Sequence, residues 1–164
     1  MTSEPGQPDP LPSAAPSKLQ RSLALMRTQY GSYAAFLEKW IKETTLESFS
    51  EESVVRLGNK ENQFLKGAKP IGEALEKIRI AHLEDSGVEM SIKSMANEQG
   101  CTRELDGARE AVERVGHLRV EALKRLEMIG NSVGKKIRAM DSTRKLFYRY
   151  NSLYETGSSL DGKV

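Results

Sequence analysis

The residues best suited to chemistry are basic side chains near the C-terminus of the sequence. Helical spacing places four of them on one face, with Tyr148 beside it: Lys135, Arg138, Lys145 and Arg149. Basic residues interleaved with an aromatic ring can contact the phosphates of a nucleic acid or of lipid headgroups. Such a stripe is also typical of a solvated helix face, or of a face that meets an acidic part of another subunit. One hypothesis of function is therefore an anionic partner, either a membrane surface or a nucleic acid.

Other candidate sites fail on their context. Residues 157–164 match most of a phosphate-binding loop, but that loop lies between a strand and a helix, and here a helical pattern precedes it. Cys101 has no histidine near it in the sequence to act as a base, so we expect a small buried hydrophobic residue. His82 and His117 are far apart and form no metal-ligand cluster. The sequence predicts no enzyme, no metal, no cofactor and no small-molecule substrate.

Two arginines, Arg119 and Arg144, fall on the extrapolated apolar seams of their segments. A charge fully buried there needs a partner, and such a pair can determine register or oligomeric state. The simpler interpretation is that the aliphatic stem packs while the guanidinium reaches water. We expect the second arrangement for both residues.

Composition narrows the class of protein further. A chain of 164 residues suits one domain, and its single cysteine excludes an internal disulfide and favours a reducing compartment. No apolar run approaches the ~20 residues of a membrane-spanning helix, and the proline-rich start lacks the pattern of a signal peptide. We therefore expect a cytoplasmic protein.

The net charge of +2 is unevenly distributed along the sequence. Residues 114–150 carry ten basic and three acidic side chains, or +7, which leaves −5 for the remainder.

The elements that position these residues are helices, and the first is the clearest. Between Leu19 and Thr44, seam residues recur at alternating steps of four and three, the heptad period of a packed helix. The seam consists of Leu19, Leu23, Met26, Tyr30, Tyr33, Leu37, Trp40 and Thr44. We expect Ser17 to cap this helix. Ala34, Phe36 and Ile41 widen its apolar face on both flanks, which predicts a bundle rather than a two-stranded coil.

Shorter helical patterns follow. Ser48 and Glu51 have the spacing of a capping box, so a second helix should begin near Ser50. Its apolar face would be Val54, Leu57, Phe64, Leu65 and Ala68. Pro70 should stop or kink this helix. Ile71, Leu75 and Ile78, with Ile80 and Leu83 beside them, should then mark a third helical segment.

Breaks are expected around two glycines. Residues 85–87 predict a turn, unless the third helix runs straight through Gly87. A short helical face of Val88, Ile92 and Met95 follows, and residues 97–100 are the next break, with Thr102 as a candidate cap.

A second long helical pattern begins there. Its seam steps again by three and four through Leu105, Ala108, Val112, Val115, Arg119, Ala122, Leu126, Ile129 and Val133. A further step of four to Ile137 makes a stutter, which unwinds a supercoil locally. Either one helix continues through Gly130 to Gly134 with a relaxed twist, or it ends at Gly130 and another starts at Ser132. The last helical face holds Ile137, Met140, Phe147 and Tyr154.

The predicted fold class is all-α, an elongated bundle of long amphipathic, coiled-coil-like helices without a sheet. We divide the chain into a disordered proline-rich tail (1–17), a helical domain (18–155) and a flexible C-terminal tail (156–164). The leading hypothesis of function is a non-enzymatic structural or adaptor protein that forms at least a homodimer and binds other helical proteins. The residues expected to form the core and the self-association surface are Leu19, Leu23, Met26, Tyr30, Tyr33, Leu37, Trp40, Leu105, Val112, Val115, Leu126 and Ile129.

Long amphipathic helices with a basic face are similar in outline to BAR-type membrane-curving modules. The resemblance lies in the periodicity of the two long segments and in the basic stripe. It implies a membrane surface as the partner in the alternative hypothesis.

Overall fold

The computed structural model describes residues 15–132 and 144–148 of the chain. These ranges contain the helices α1 (Lys18–Glu43), α2 (Glu51–Ser86), α3 (Ile92–Glu98) and α4 (Thr102–Ser132), and residues 144–148 are also helical. None of the described residues is in a strand. The fold is an all-α bundle, as predicted. Most of the two predicted tails lies outside the described residues.

α1 lies between α2 and α4 and contacts both. Near its start, Gln20 donates to the carboxylate of Glu104 at 2.6 Å, and further along Arg114 donates to Glu38 at 2.9 Å. Residues further along α1 therefore contact residues further along α4, so these two helices run parallel. As predicted, Ser17 caps α1, its hydroxyl accepting from the backbone N–H of Gln20 at 3.1 Å.

α2 packs antiparallel to α1. The indole N–H of Trp40 donates to the carbonyl of Ser53 at 2.8 Å, and the Gln29 amide donates to the carbonyl of Phe64 at 3.4 Å. Since both helices rise equally per residue, the start of α1 lies level with roughly residue 76 of α2. The last ~ten residues of α2 therefore project beyond α1.

α2 begins at a capping box, although not at the predicted one. Ser50 and Ser53 form the box, with the backbone N–H of Ser53 donating to the Ser50 hydroxyl at 3.2 Å. The hydroxyl of Ser48 instead donates to the carbonyl of Glu43 at 2.7 Å and closes the turn after α1. The predicted pairing of Ser48 with Glu51 is wrong, because the turn has already engaged the Ser48 hydroxyl.

α2 passes through Pro70 without ending. Of the two predicted effects of this proline, the stop is therefore wrong, as is the separate third helix after it, and the kink stays a prediction. Ala68 and Leu75, on either side of Pro70, are buried, whereas the proline itself is exposed. The apolar seam continues across the proline, and its burial outweighs the lost backbone hydrogen bond.

Glycines in left-handed conformation terminate the middle helices. Gly87, with φ 68°, ends α2 as predicted, so the helix does not run through it. Gly100, with φ 67°, separates α3 from α4. The carbonyl of Cys101 accepts from the backbone N–H of Leu105 at 3.2 Å. Cys101 therefore occupies the cap position, and Thr102 is the first helical residue and not the predicted cap.

Residues 144–148 lie back against the middle of α4. The ring centre of Phe147 is 5.8 Å from the guanidinium carbon of Arg119, and Arg144 pairs with Glu127 at 3.1 Å. In one continuous helix Phe147 would lie about 42 Å from Arg119. One helix running unbroken from α4 to Phe147 is therefore excluded, and the predicted passage through Gly134 lies outside the described residues. α4 itself runs to Ser132, past the alternative end predicted at Gly130.

Two apolar clusters form the core. The first lies between α1, α2, α4 and residues 144–148, and consists of Tyr33, Ala34, Leu37, Trp40, Ile41, Val54, Leu57, Phe64, Ala68, Val115, Ala122, Leu126 and Phe147. The second lies where α3 closes one end of the bundle, and consists of Leu19, Leu23, Met26, Leu75, Ile92, Met95, Ala96, Cys101, Leu105 and Ala108. In the described ranges, no helix combines the length and apolar character needed to cross a membrane.

Candidate functional site

The residues predicted for the core and self-association lie inside the chain itself. Ten of them are buried: Leu19, Leu23, Met26, Tyr33, Leu37, Trp40, Leu105, Val115, Leu126 and Ile129. Tyr30 and Val112 are partly buried beside these clusters. The two long apolar stripes therefore face the interior of one chain, and a dimer has to use other residues.

A polar centre lies within the first core cluster. Arg119 of α4 donates to one oxygen of the Glu61 carboxylate, and the hydroxyl of Tyr33 donates to the other. Glu61 is 0% exposed and Arg119 is 4% exposed. α1, α2 and α4 thus each contribute one polar side chain to a single buried network.

Aromatic rings surround the guanidinium of Arg119. Its carbon lies 5.1 Å from the ring centre of Phe64, 5.4 Å from that of Tyr33 and 5.8 Å from that of Phe147. The rings of Tyr33 and Phe64 stack with centres 4.3 Å apart. Cation–π attraction is strongest when the cation is desolvated, as it is here.

Burial governs the ionisation of this centre. Burial raises the pKa of the Glu61 carboxyl, while the charge of Arg119 and the hydroxyl of Tyr33 act in the opposite direction. Burial also raises the pKa of the Tyr33 hydroxyl, and the neighbouring Glu61 carboxylate raises it further. Tyr33 therefore keeps its proton and acts as the hydrogen-bond donor. Aromatic rings enclose this polar centre, and its hydrogen bonds position α1, α2 and α4 relative to one another.

Arg119 and Arg144 differ in environment. For Arg119 the expected solvated head is wrong, because its seam position lies where three helices meet and leaves no route to water. Arg144 is about half exposed and pairs with Glu127 at the surface, in agreement with the expectation.

The structure describes one member of the predicted basic stripe. Lys145 is exposed, beside the exposed Tyr148. Lys135, Arg138 and Arg149 lie outside the described residues. No joint face of the four residues can therefore be assigned, and binding of an anion by the stripe stays a prediction.

The projecting end of α2 carries apolar side chains on its surface. Ile80 is 43% exposed and Leu83 39% exposed, and Val88 in the following loop is also exposed. On the other side of this end, Ile78 and Met90 pack against the second core cluster. Arg79 bridges Glu76 and Glu89, each at 2.7 Å, and ties the loop to the helix.

The remaining candidates within the described ranges show no catalytic arrangement, and residues 157–164 lie outside those ranges. Burial raises the pKa of the Cys101 thiol, and the residue is a small hydrophobic member of the core, as predicted. Among the described residues, no three His, Cys, Asp or Glu side chains converge to hold a metal. An open groove of about 230 Å³ between α1 and α4 is lined by Glu38, Ile41, Lys42, Leu118, Glu121 and Arg125. Its charged rim differs from the enclosed apolar pockets of small-molecule sites.

Comparison with protein families, curated proteins and solved structures finds no match for this chain.

Two features of the surface and core were missed in the sequence. Glu61 was not included in the predicted face of its helix, although its spacing places it there. The seam of α2 steps by three and four through Val54, Leu57, Glu61, Phe64 and Ala68. Ile80 and Leu83 were placed beside the apolar face of Leu75 and Ile78, and the helical spacing that separates them from that face was the signal for their exposure.

Proposed function

We propose that this chain is a non-enzymatic helical adaptor that self-associates as an antiparallel dimer through the projecting end of α2. The exposed pair Ile80 and Leu83 carries the proposal. With 3.6 residues per turn, these two residues lie on the side of α2 away from Leu75 and Ile78, which face the core. Contiguous exposed apolar side chains with a polar rim mark interaction surfaces.

The charges beside this pair favour a second copy of the chain as the partner. Lys77 and Glu84 are both exposed and lie seven residues apart, on one edge of the apolar pair. In an antiparallel helix pair related by a twofold axis, that edge meets the same edge of the other copy. Lys77 of each copy then lies opposite Glu84 of the other, while Ile80 and Leu83 pack across the axis. The pattern is therefore self-complementary.

The dimer would be weak and would leave most of each bundle free. Two apolar residues a side make a contact below the standard size of a stable interface, so association should depend on concentration. The dimer would be elongated and would present two copies of each surface outside the contact, which suits an adaptor that binds further helical proteins. A cytoplasmic location is part of the proposal, since a single cysteine suits a reducing compartment.

Sedimentation equilibrium over a range of concentrations tests the proposal. The apparent mass should rise from 18.3 kDa towards twice that value as concentration rises. Ile80→Ser with Leu83→Ser should remain monomeric. Leu25→Ser with Val55→Ser, a control at exposed apolar residues elsewhere, should dimerise like the wild type. A mass that stays at 18.3 kDa for the wild type would contradict the dimer.

A charge exchange tests the antiparallel arrangement. Lys77→Glu alone places two acidic groups opposite each other, and Glu84→Lys alone places two basic groups there, so each should weaken the dimer. The double variant exchanges the two charges and should restore it. A double variant weaker than either single one would refute the antiparallel pairing.

A further inference from the structure

The end of α4 and residues 144–148 form one surface. Arg144 donates to Glu127 at 3.1 Å and joins the exposed sides of the two elements. Lys124 and Met128 are exposed one turn apart on α4, on the same side as Glu127. This surface belongs entirely to described residues and lies far from the projecting end of α2, since α4 here adjoins the C-terminal half of α1.

Residues 144–148 add further basic and aromatic groups to it. The guanidinium carbon of Arg144 lies 5.8 Å from the ring centre of Tyr148. Lys145 and Tyr148 are exposed on the same side of this short helix. We call the set Lys124, Met128, Arg144, Lys145 and Tyr148 the composite patch.

We infer that the composite patch binds an anionic lipid surface. Its three cations exceed the two carboxylates beside them, Glu127 and the exposed Glu121 one turn before Lys124, which leaves a net charge of +1. Met128 and Tyr148 are each more than half exposed among these cations. At a membrane interface, cations meet the headgroups while a tyrosine ring and an apolar side chain enter the boundary of the acyl region. A nucleic acid receives an apolar side chain such as Met128 only where its bases unstack, whereas the acyl boundary receives it directly, so the lipid surface is favoured.

Phe147 is the positioning residue of the patch. Its side chain is buried in the first core cluster, against the Arg119 guanidinium. Because Phe147 holds residues 144–148 on α4, it brings Arg144 onto Glu127, one turn from Lys124, and carries Lys145 and Tyr148 with it. Removing this buried, uncharged ring should therefore weaken lipid binding while every charge is retained.

Co-sedimentation with vesicles of about one third phosphatidylserine in phosphatidylcholine tests the inference at low salt. The wild type should bind, and binding should fall as salt rises. Lys124→Gln with Lys145→Gln should weaken binding about five-fold for each charge removed. The control Lys66→Gln with Lys93→Gln makes the same change in net charge at exposed sites on α2 and α3, and should bind like the wild type.

Aromatic and buried variants complete the test. Tyr148→Ser should weaken vesicle binding without loss of helicity, because its ring is exposed. Phe147→Ala should weaken it as well, with circular dichroism as the check of folding. Because the surface variants do not depend on the stability of the core, they decide the outcome if Phe147→Ala unfolds.

Three results would overturn the inference. The first is no binding of the wild type to the vesicles. The second is equal binding by the Lys124→Gln, Lys145→Gln variant and its control. The third is that the wild type prefers a single-stranded oligonucleotide to the vesicles, and that Tyr148→Ser does not change vesicle binding. That combination would make a nucleic acid the ligand.

Discussion

Arg119 of α4 and Glu61 of α2 form an ion pair in the interior of the bundle, where their side chains are 4% and 0% exposed. Tyr33 of α1 donates to the same carboxylate. A buried charge that loses its partner is strongly destabilising, whereas an exposed one is not. The network therefore links the register of the three long helices, because a shift of any one of them would separate buried polar groups.

Arg119→Met should lower the free energy of unfolding by about 3–5 kcal/mol at neutral pH. The loss of stability caused by this substitution should also grow as the pH rises. Burial raises the pKa of Glu61, and Arg119 is the main group opposing that rise, so its removal raises the pKa further. The folded state then binds more protons than the unfolded state above the ordinary glutamate pKa of about 4.3, and stability falls as pH rises through that window. Urea unfolding at about pH 5 and about pH 8 measures the change.

A matched pair and a compensated variant control this experiment. Arg114→Met breaks the exposed pair with Glu38 and should cost at most about 1 kcal/mol, with little dependence on pH. Replacing the whole centre, with Tyr33→Phe, Glu61→Leu and Arg119→Met together, leaves no polar group of the network unpaired. Its stability should return to near that of the wild type or exceed it. If the triple variant is less stable than Arg119→Met alone, the centre contributes net stability and this account is wrong.

Leu37→Ala should lower the free energy of unfolding by about 2–5 kcal/mol, because the side chain is fully buried in the first core cluster. Leu25→Ala makes the same chemical change on the exposed side of the same helix and should alter stability by less than about 0.5 kcal/mol. Fluorescence of Trp40, the single tryptophan, follows unfolding in urea. Equal midpoints for the two variants would contradict the central position of α1.

Two glycine substitutions should change stability in opposite directions. Gly31→Ala should stabilise the protein by about 0.5–1 kcal/mol, because the residue is inside α1 and an added Cβ meets no atom within 4 Å. Gly87→Ala should destabilise it by about 1 kcal/mol, since φ is 68° there. Thermal unfolding of both variants measures the difference. A gain from Gly87→Ala would show that the helix end does not require a left-handed residue.

The sequence by itself determined the class of fold and several element ends, because these depend on interactions within a few residues. The heptad steps from Leu19 to Thr44 predicted α1, and Ser17 was correctly expected to cap it. Gly87 was correctly expected at a turn, since a residue with positive φ ends a helix whatever its tertiary surroundings. The apolar flanks of α1, Ala34 and Ile41, indicated a bundle, and both are buried.

Only the tertiary structure decided that the charged residues on two seams pair in the interior, and which apolar residues remain outside. Glu61 and Arg119 are 58 residues apart, and their pairing depends on the register between α2 and α4. The same long-range packing carries α2 through Pro70, which local propensity alone would end. It also places Phe147 on Arg119 while leaving Ile80 and Leu83 exposed, because α2 is longer than the helix it packs against. Periodicity identifies the apolar side of a helix. Which neighbours cover that side depends on contacts between residues far apart in the chain.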